Sequence, residues 1–237
     1  PYIEASTDVD VVKTDGNIVM WPNSYIKSTT LGHVDIDVSG TNKYLSCRGE
    51  IQSNDGYVDV AVNAGDLFVT GGSISSLTNG DVSVGAQGIH INKGQIRARS
   101  TGDLNVTATG ELLDYPTKSI WLLYNSSGSS VFSTVNGDMT VLSTGTGDVY
   151  VENRTSLQSS GGAISVTSAA DIVLIGASSN AAYFIAPDEL SATATGDVIL
   201  GNNCYLKSTT LGDVTAISST GDITLAASSY LQTTSGN

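Results

Sequence analysis

The chain is poor in the residues that staple a fold, anchor it in a membrane or hold a polyanion. Among its 237 residues, two are cysteines, four prolines and ten Lys or Arg. Cys47 and Cys204 are too few for a disulfide framework, and no CxxC spacing offers a metal cage. The ten cations face 23 Asp and Glu, for a net charge of −13. Without a clustered basic face nothing neutralises phosphates, so nucleic acid and anionic membrane surfaces are not expected partners. No apolar run in these residues approaches the roughly 18 that span a bilayer, so membrane insertion is not expected. Three Asn-x-Ser/Thr sequons, at Asn105, Asn125 and Asn153, are no more than chance gives at this Ser and Thr content. What is abundant is turn and strand material: 26 glycines, and Ser plus Thr at about a quarter of the chain.

That material is periodic. Lys27-Ser28-Thr29-Thr30-Leu31-Gly32 recurs unchanged as Lys207-Ser208-Thr209-Thr210-Leu211-Gly212, 180 residues later. Between the two copies a Gly-Asp-apolar turn-and-strand signal repeats, as at Gly80-Asp81-Val82, Gly102-Asp103-Leu104 and Gly137-Asp138-Met139. Aligned, these give nine units from Thr7 onward with a mean length of about 25.7 residues, and 180 residues is seven such periods. Each unit carries three short alternating strands, which predicts an all-β fold: a single parallel β-solenoid domain over residues 1–237, a triangular β-helix of about nine coils. The handedness of parallel crossovers makes a right-handed coil the expectation. Strand alternation then predicts three inward columns. The first is Val9, Val34, Val58, Val82, Leu104, Met139, Ile164, Leu190 and Val214; the second runs from Ile18 to Ile223 and the third from Ile26 to Leu231, and all 27 positions are apolar. Two units are overlong, which places loop insertions near residues 114–130 and 177–183. The Gly-Asp corners read as turns in which Asp bonds its own backbone.

Units such as Gly212-Asp213-Val214-Thr215-Ala216-Ile217-Ser218-Ser219-Thr220-Gly221-Asp222-Ile223 resemble the repeats of filamentous-haemagglutinin-type adhesins and related large repetitive bacterial surface proteins. The resemblance implies an extracellular or cell-surface, elongated, secreted module; since no nucleophile or metal signature is found in the sequence, a non-enzymatic structural or adhesive role is expected, with a carbohydrate or host surface as candidate ligand.

Candidate sites follow from the outward positions. On the first strand, Asp10, Asp35 and Asp59 stack in consecutive coils with Asp37 beside them. They read as a solvated acidic face, with a Ca²⁺ site or the paired acids of a polysaccharide-cleaving solenoid as alternatives; no Arg, Lys or His is expected to join them, and no other cofactor is expected. His33 and His90 read as surface residues. A Thr-rich solenoid also raises ice binding, but long side chains such as Lys27, Gln52 and Arg97 interrupt the third face. The second strand is different: Phe68, Trp121, Tyr150, Val173 and Ile199 form an outward apolar stripe, predicting lateral self-association or cover by the inserted loops. Outward tyrosines cluster at the two ends, Tyr2 and Tyr25 in one group and Tyr183, Tyr205 and Tyr230 in the other, so end-to-end stacking or continuation into a longer solenoid is expected as well.

Overall fold

A computed structural model describes residues 1–124, 128–177 and 179–235. The described residues form strands and turns without a helix, wound as a parallel β-solenoid of about nine coils. Three columns of strands run along the axis. The first runs from Val9–Lys13 to Val214–Ser218, the second from Ile18–Met20 to Ile223–Leu225, and the third from Tyr2–Ala5 to Tyr230–Gln232. The third column is a ten-stranded sheet. The first and second merge into one sheet of sixteen strands, because Val58–Thr70 and Val82–Asn92 each run through the corner and serve both columns. Each of those two columns therefore has nine layers against ten in the third, since the chain opens on a third-column strand.

The inward columns pair in the expected register: Val9 on Val34, Val34 on Val58, Leu45 on Leu67 and Ile51 on Ile74. Of the 27 core positions 23 are buried; the exceptions Ile18, Val214, Ile223 and Leu231 all lie in the first or last coil, where no neighbouring coil covers them. Burial comes from repetition, because an apolar residue in one layer is covered by its equivalents above and below and by the two facing columns.

The corner before the first column explains the Gly-Asp signal. A Cβ at Gly80 would lie 2.0 Å from the carbonyl oxygen of Gly56, and one at Gly102 2.0 Å from that of Gly80, so the coils close here only without side chains. At Asp81, Asp103 and Asp138 the bond goes to the next coil instead of to their own backbone. Asp81 Oδ1 accepts the N–H of Asp103 at 2.9 Å, Asp103 Oδ1 that of Asp138 at 2.8 Å, and Asp138 Oδ1 that of Ala163 at 2.8 Å. A second ladder links Asp148, Asp171, Asp197 and Asp222 in the same way. The physical reason is the stacking distance: about 4.8 Å up the axis, the next coil presents a corner N–H that no strand partner takes, and an unpaired donor there is costly.

Both overlong units loop out at corners. Two residues connect Ala86 to Ile89, whereas eleven connect the equivalent Ala108 to Ile120. The same unit has a second long connection, from Leu123 to Val131, and the other overlong unit has one from Leu174 to Tyr183. Asn125, Ser126, Ser127 and Ser178, within these expected insertions, lie outside the described residues.

Candidate functional site

The outward stripe of the second column is partly covered by the chain itself. Phe68 meets the His90 ring edge-on at 5.9 Å, and His90 stacks flat on Trp121 at 4.6 Å with 7° between the planes. The segment inserted after Ala108 folds back over them. Its Tyr115 sets an edge against Trp121 at 4.6 Å, and Lys118 at its end places Nζ 3.6 Å from the Trp121 ring centre and 4.0 Å from that of Tyr150. The flap is held by Leu113, whose N–H donates to Asp66 Oδ2 at 3.0 Å, and by Leu112, whose N–H donates to the Lys118 carbonyl at 2.8 Å. Trp121 keeps 8% of its surface and donates its indole N–H to Glu152 Oε1 at 3.0 Å. Val173 is buried too, while Phe68, Tyr150 and Ile199 stay half-exposed. His90 is thus a packed ring and no ordinary surface residue; burial, then the neighbouring Lys118 ammonium, pushes its pKa down to about 4.

On the first column, Asp10, Asp35 and Asp59 are in register as expected. The structure adds His33 to them, which was not expected to join. His33 precedes the inward Val34, so alternation sends it outward beside Asp35, and ligand atoms of Asp10, His33 and Asp35 all lie within 4.8 Å of one another. His33 Nδ1 is 3.2 Å from Asp8 Oδ1 and Nε2 is 3.6 Å from Asp35 Oδ2. Its ring stacks on Tyr57 at 4.4 Å, and the Tyr57 hydroxyl donates to Asp35 Oδ2 at 3.3 Å. Asp37 takes a separate partner, accepting the Asn63 amide N–H at 2.9 Å. Burial, then the charge of Asp35, pushes the Asp59 carboxyl up. Two carboxylates with one imidazole are the donors of a mixed N/O divalent-cation site more than of the all-oxygen shell that Ca²⁺ takes.

No family model, curated protein or solved structure matches the chain. The site readings therefore rest on the geometry of this chain alone.

The tyrosines form two ladders on the third column. Tyr2 stacks on Tyr25 at 5.2 Å, Tyr183 on Tyr205 at 4.9 Å, and Tyr205 on Tyr230 at 5.1 Å, with the last pair only 2° from parallel. Burial, then the flanking Tyr183 and Tyr230, pushes the Tyr205 hydroxyl up to about 12. Both ladders run to the terminal coils, where Tyr2 and Tyr230 are exposed together with Ile3, Ile223 and Leu225. Cys47, inward between Met20 and Val69, and Cys204 are both buried free thiols. Three residues that shape these surfaces, His33, Tyr115 and Lys118, are not marked as site residues by the sequence. His33 is within reach of the alternation pattern; Tyr115 and Lys118 are not, because a loop has no period.

Proposed function

We propose that this chain is a rigid, non-enzymatic segment of an extracellular surface or filament protein, a spacer and adhesive platform whose coils also drive self-association. The observation that carries the reading is the uninterrupted stack: three apolar columns in register bind each coil to the next, and two aspartate ladders add to this from the fourth coil to the ninth. Nine coils at about 4.8 Å make a rod of roughly 40 Å in which each coil is fixed by its neighbours. The resemblance of the repeats to filamentous-haemagglutinin-type adhesins supports the surface setting and the adhesive role.

Of the two modes of self-association, end-to-end stacking is favoured over lateral packing. The lateral stripe has lost Trp121 and Val173 to intrachain packing. The terminal coils, in contrast, present open ladders at Tyr2 and Tyr230 with apolar Ile3, Ile223 and Leu225 beside them. Each further stacked aromatic pair would add about 0.5–1.5 kcal/mol. Because the third column has one layer more than the others, a second copy joins without a clash only if the Tyr2–Ala5 strand moves onto its neighbour. Sedimentation velocity over a wide concentration range tests this. The expected result is an elongated particle that forms longer species with concentration, and loses them when Tyr230 and Leu231 are both replaced by Glu. A monomer of compact frictional ratio at every concentration would overturn the reading. Surface labelling of intact source cells tests the location.

A further inference from the structure

The corner between the second and third columns carries a groove of about 510 Å³ in the first four coils. Its floor is glycine for two separate reasons. A Cβ at Gly49 would lie 2.1 Å from the Ser24 carbonyl oxygen and one at Gly72 2.5 Å from that of Gly49, so the coils meet there backbone to backbone. Gly71 instead sits at φ +70°, in the left-handed region, and has open space where a side chain would stand. Asn23 and Lys93 make the same left-handed turn in the first and fourth coils, at φ 63° and 58°. The side chains of these turns and of the strands beside them rise as walls around a bare floor.

The walls define a chemistry. Tyr25, Arg48, Glu50, Lys93 and Gln95 line the groove, and the Arg48 guanidinium carbon lies 5.8 Å over the ring of Trp21, which is 60% exposed. Two of the ten cations of a −13 chain thus flank one concavity whose lining holds a single acid, Glu50. An apolar ligand has little to gain from such a lining. The fit is to a hydroxyl-rich molecule that offers C–H faces to Tyr25 and Trp21, hydroxyls to the amides, and a carboxylate to the Arg48 fork. The groove draws on four successive coils, three steps of about 4.8 Å, so an extended ligand of several units would lie along the axis. One surplus positive charge on so acidic a protein matches a sparse series of carboxylates better than a densely sulfated chain.

We propose that this groove binds an acidic oligosaccharide, one carrying a carboxylate on each sugar, with Arg48 as its principal anchor, Lys93 as a second and Trp21 as a stacking platform. The assignment deepens the adhesive part of the reading above and rests on it for its biological setting.

The test is isothermal titration of the whole chain with a tetrameric oligogalacturonate at 0.15 M salt. The expected result is saturable binding that falls at least tenfold in Arg48→Gln and severalfold in Trp21→Ala. Lys207→Gln, in the eighth coil, should bind as the unchanged chain does. The neutral oligosaccharide of equal length should bind at least tenfold more weakly. Absence of binding at millimolar ligand, or undiminished binding in Arg48→Gln with circular dichroism unchanged, would overturn the site. Equal binding of tetra-aspartate, or of a sulfated oligosaccharide, would overturn the saccharide assignment and leave an ion exchanger. If the unmodified chain forms elongated, concentration-dependent polymers in sedimentation while the titrations fail, this inference falls and the structural reading stands. Compact monomers that still bind the oligogalacturonate would uphold the groove and overturn the self-association.

Discussion

Replacing His90 by Gln should remove most of an acid sensitivity built into the middle of the solenoid. In the folded chain burial and then Lys118 lower the His90 pKa from 6.5 to about 4. Between those values the unfolded chain binds a proton that the folded chain refuses. The stability contributed by the neutral imidazole is complete above pH 6.5 and is lost as pH falls toward 4. A lowering of about 2.5 units at about 1.36 kcal/mol each is about 3 kcal/mol, and the ring's partial exposure brings the expectation to about 2 kcal/mol. Asp59, Asp66 and Asp148 act in the opposite sense. Burial is the first cause that raises each of them, so their contribution is present below the unfolded carboxylate range and is lost as pH rises through the folded values. The informative quantity is therefore a difference between two chains that share these aspartates. Urea unfolding followed by circular dichroism at pH 7 and pH 4.5 should show the unmodified chain losing about 2 kcal/mol more than His90→Gln. Lys118→Met, which removes the second cause, should narrow the gap without closing it. The same pH dependence in the unmodified chain and His90→Gln would refute the reasoning.

Three further outcomes are expected. Gly102→Ala brings a Cβ to 2.0 Å from the Gly80 carbonyl oxygen and should cost about 1–3 kcal/mol in chemical denaturation, as overpacking does. Phe184→Ala, at a fully buried third-column position, should cost about 3–5 kcal/mol, while Thr140→Ala on the solvent side of the first column should stay within about 0.5 kcal/mol. The Cys47 thiol, pushed up to about 12 chiefly by burial, should resist a disulfide-exchange reagent in native buffer and react at once in denaturant, and mass spectrometry should find no bond between Cys47 and Cys204.

The fold was legible in the sequence because a solenoid writes the same requirement many times over. A lone apolar residue in alternation could face either way, but Val9, Val34, Val58 and Val82 at one position of four successive units fix which side is inward, and a one-residue slip would expose the whole column. The tyrosine ladders were legible for the same reason, since register along the axis follows from the repeat. The Gly-Asp corners were found but misread: sequence neighbours propose a bond to the local backbone, whereas the favoured partner, the N–H of Asp103 for Asp81, is 22 residues away and about 4.8 Å up the axis. Only the tertiary structure decided which surfaces remain open. The flap that carries Tyr115 and ends at Lys118 covers Trp121 because an eleven-residue excursion chooses its path by contacts and not by period. The groove at Arg48 and Lys93 exists because glycine floors and left-handed turns from four coils fall side by side, a juxtaposition made by winding the chain and by nothing within any single unit.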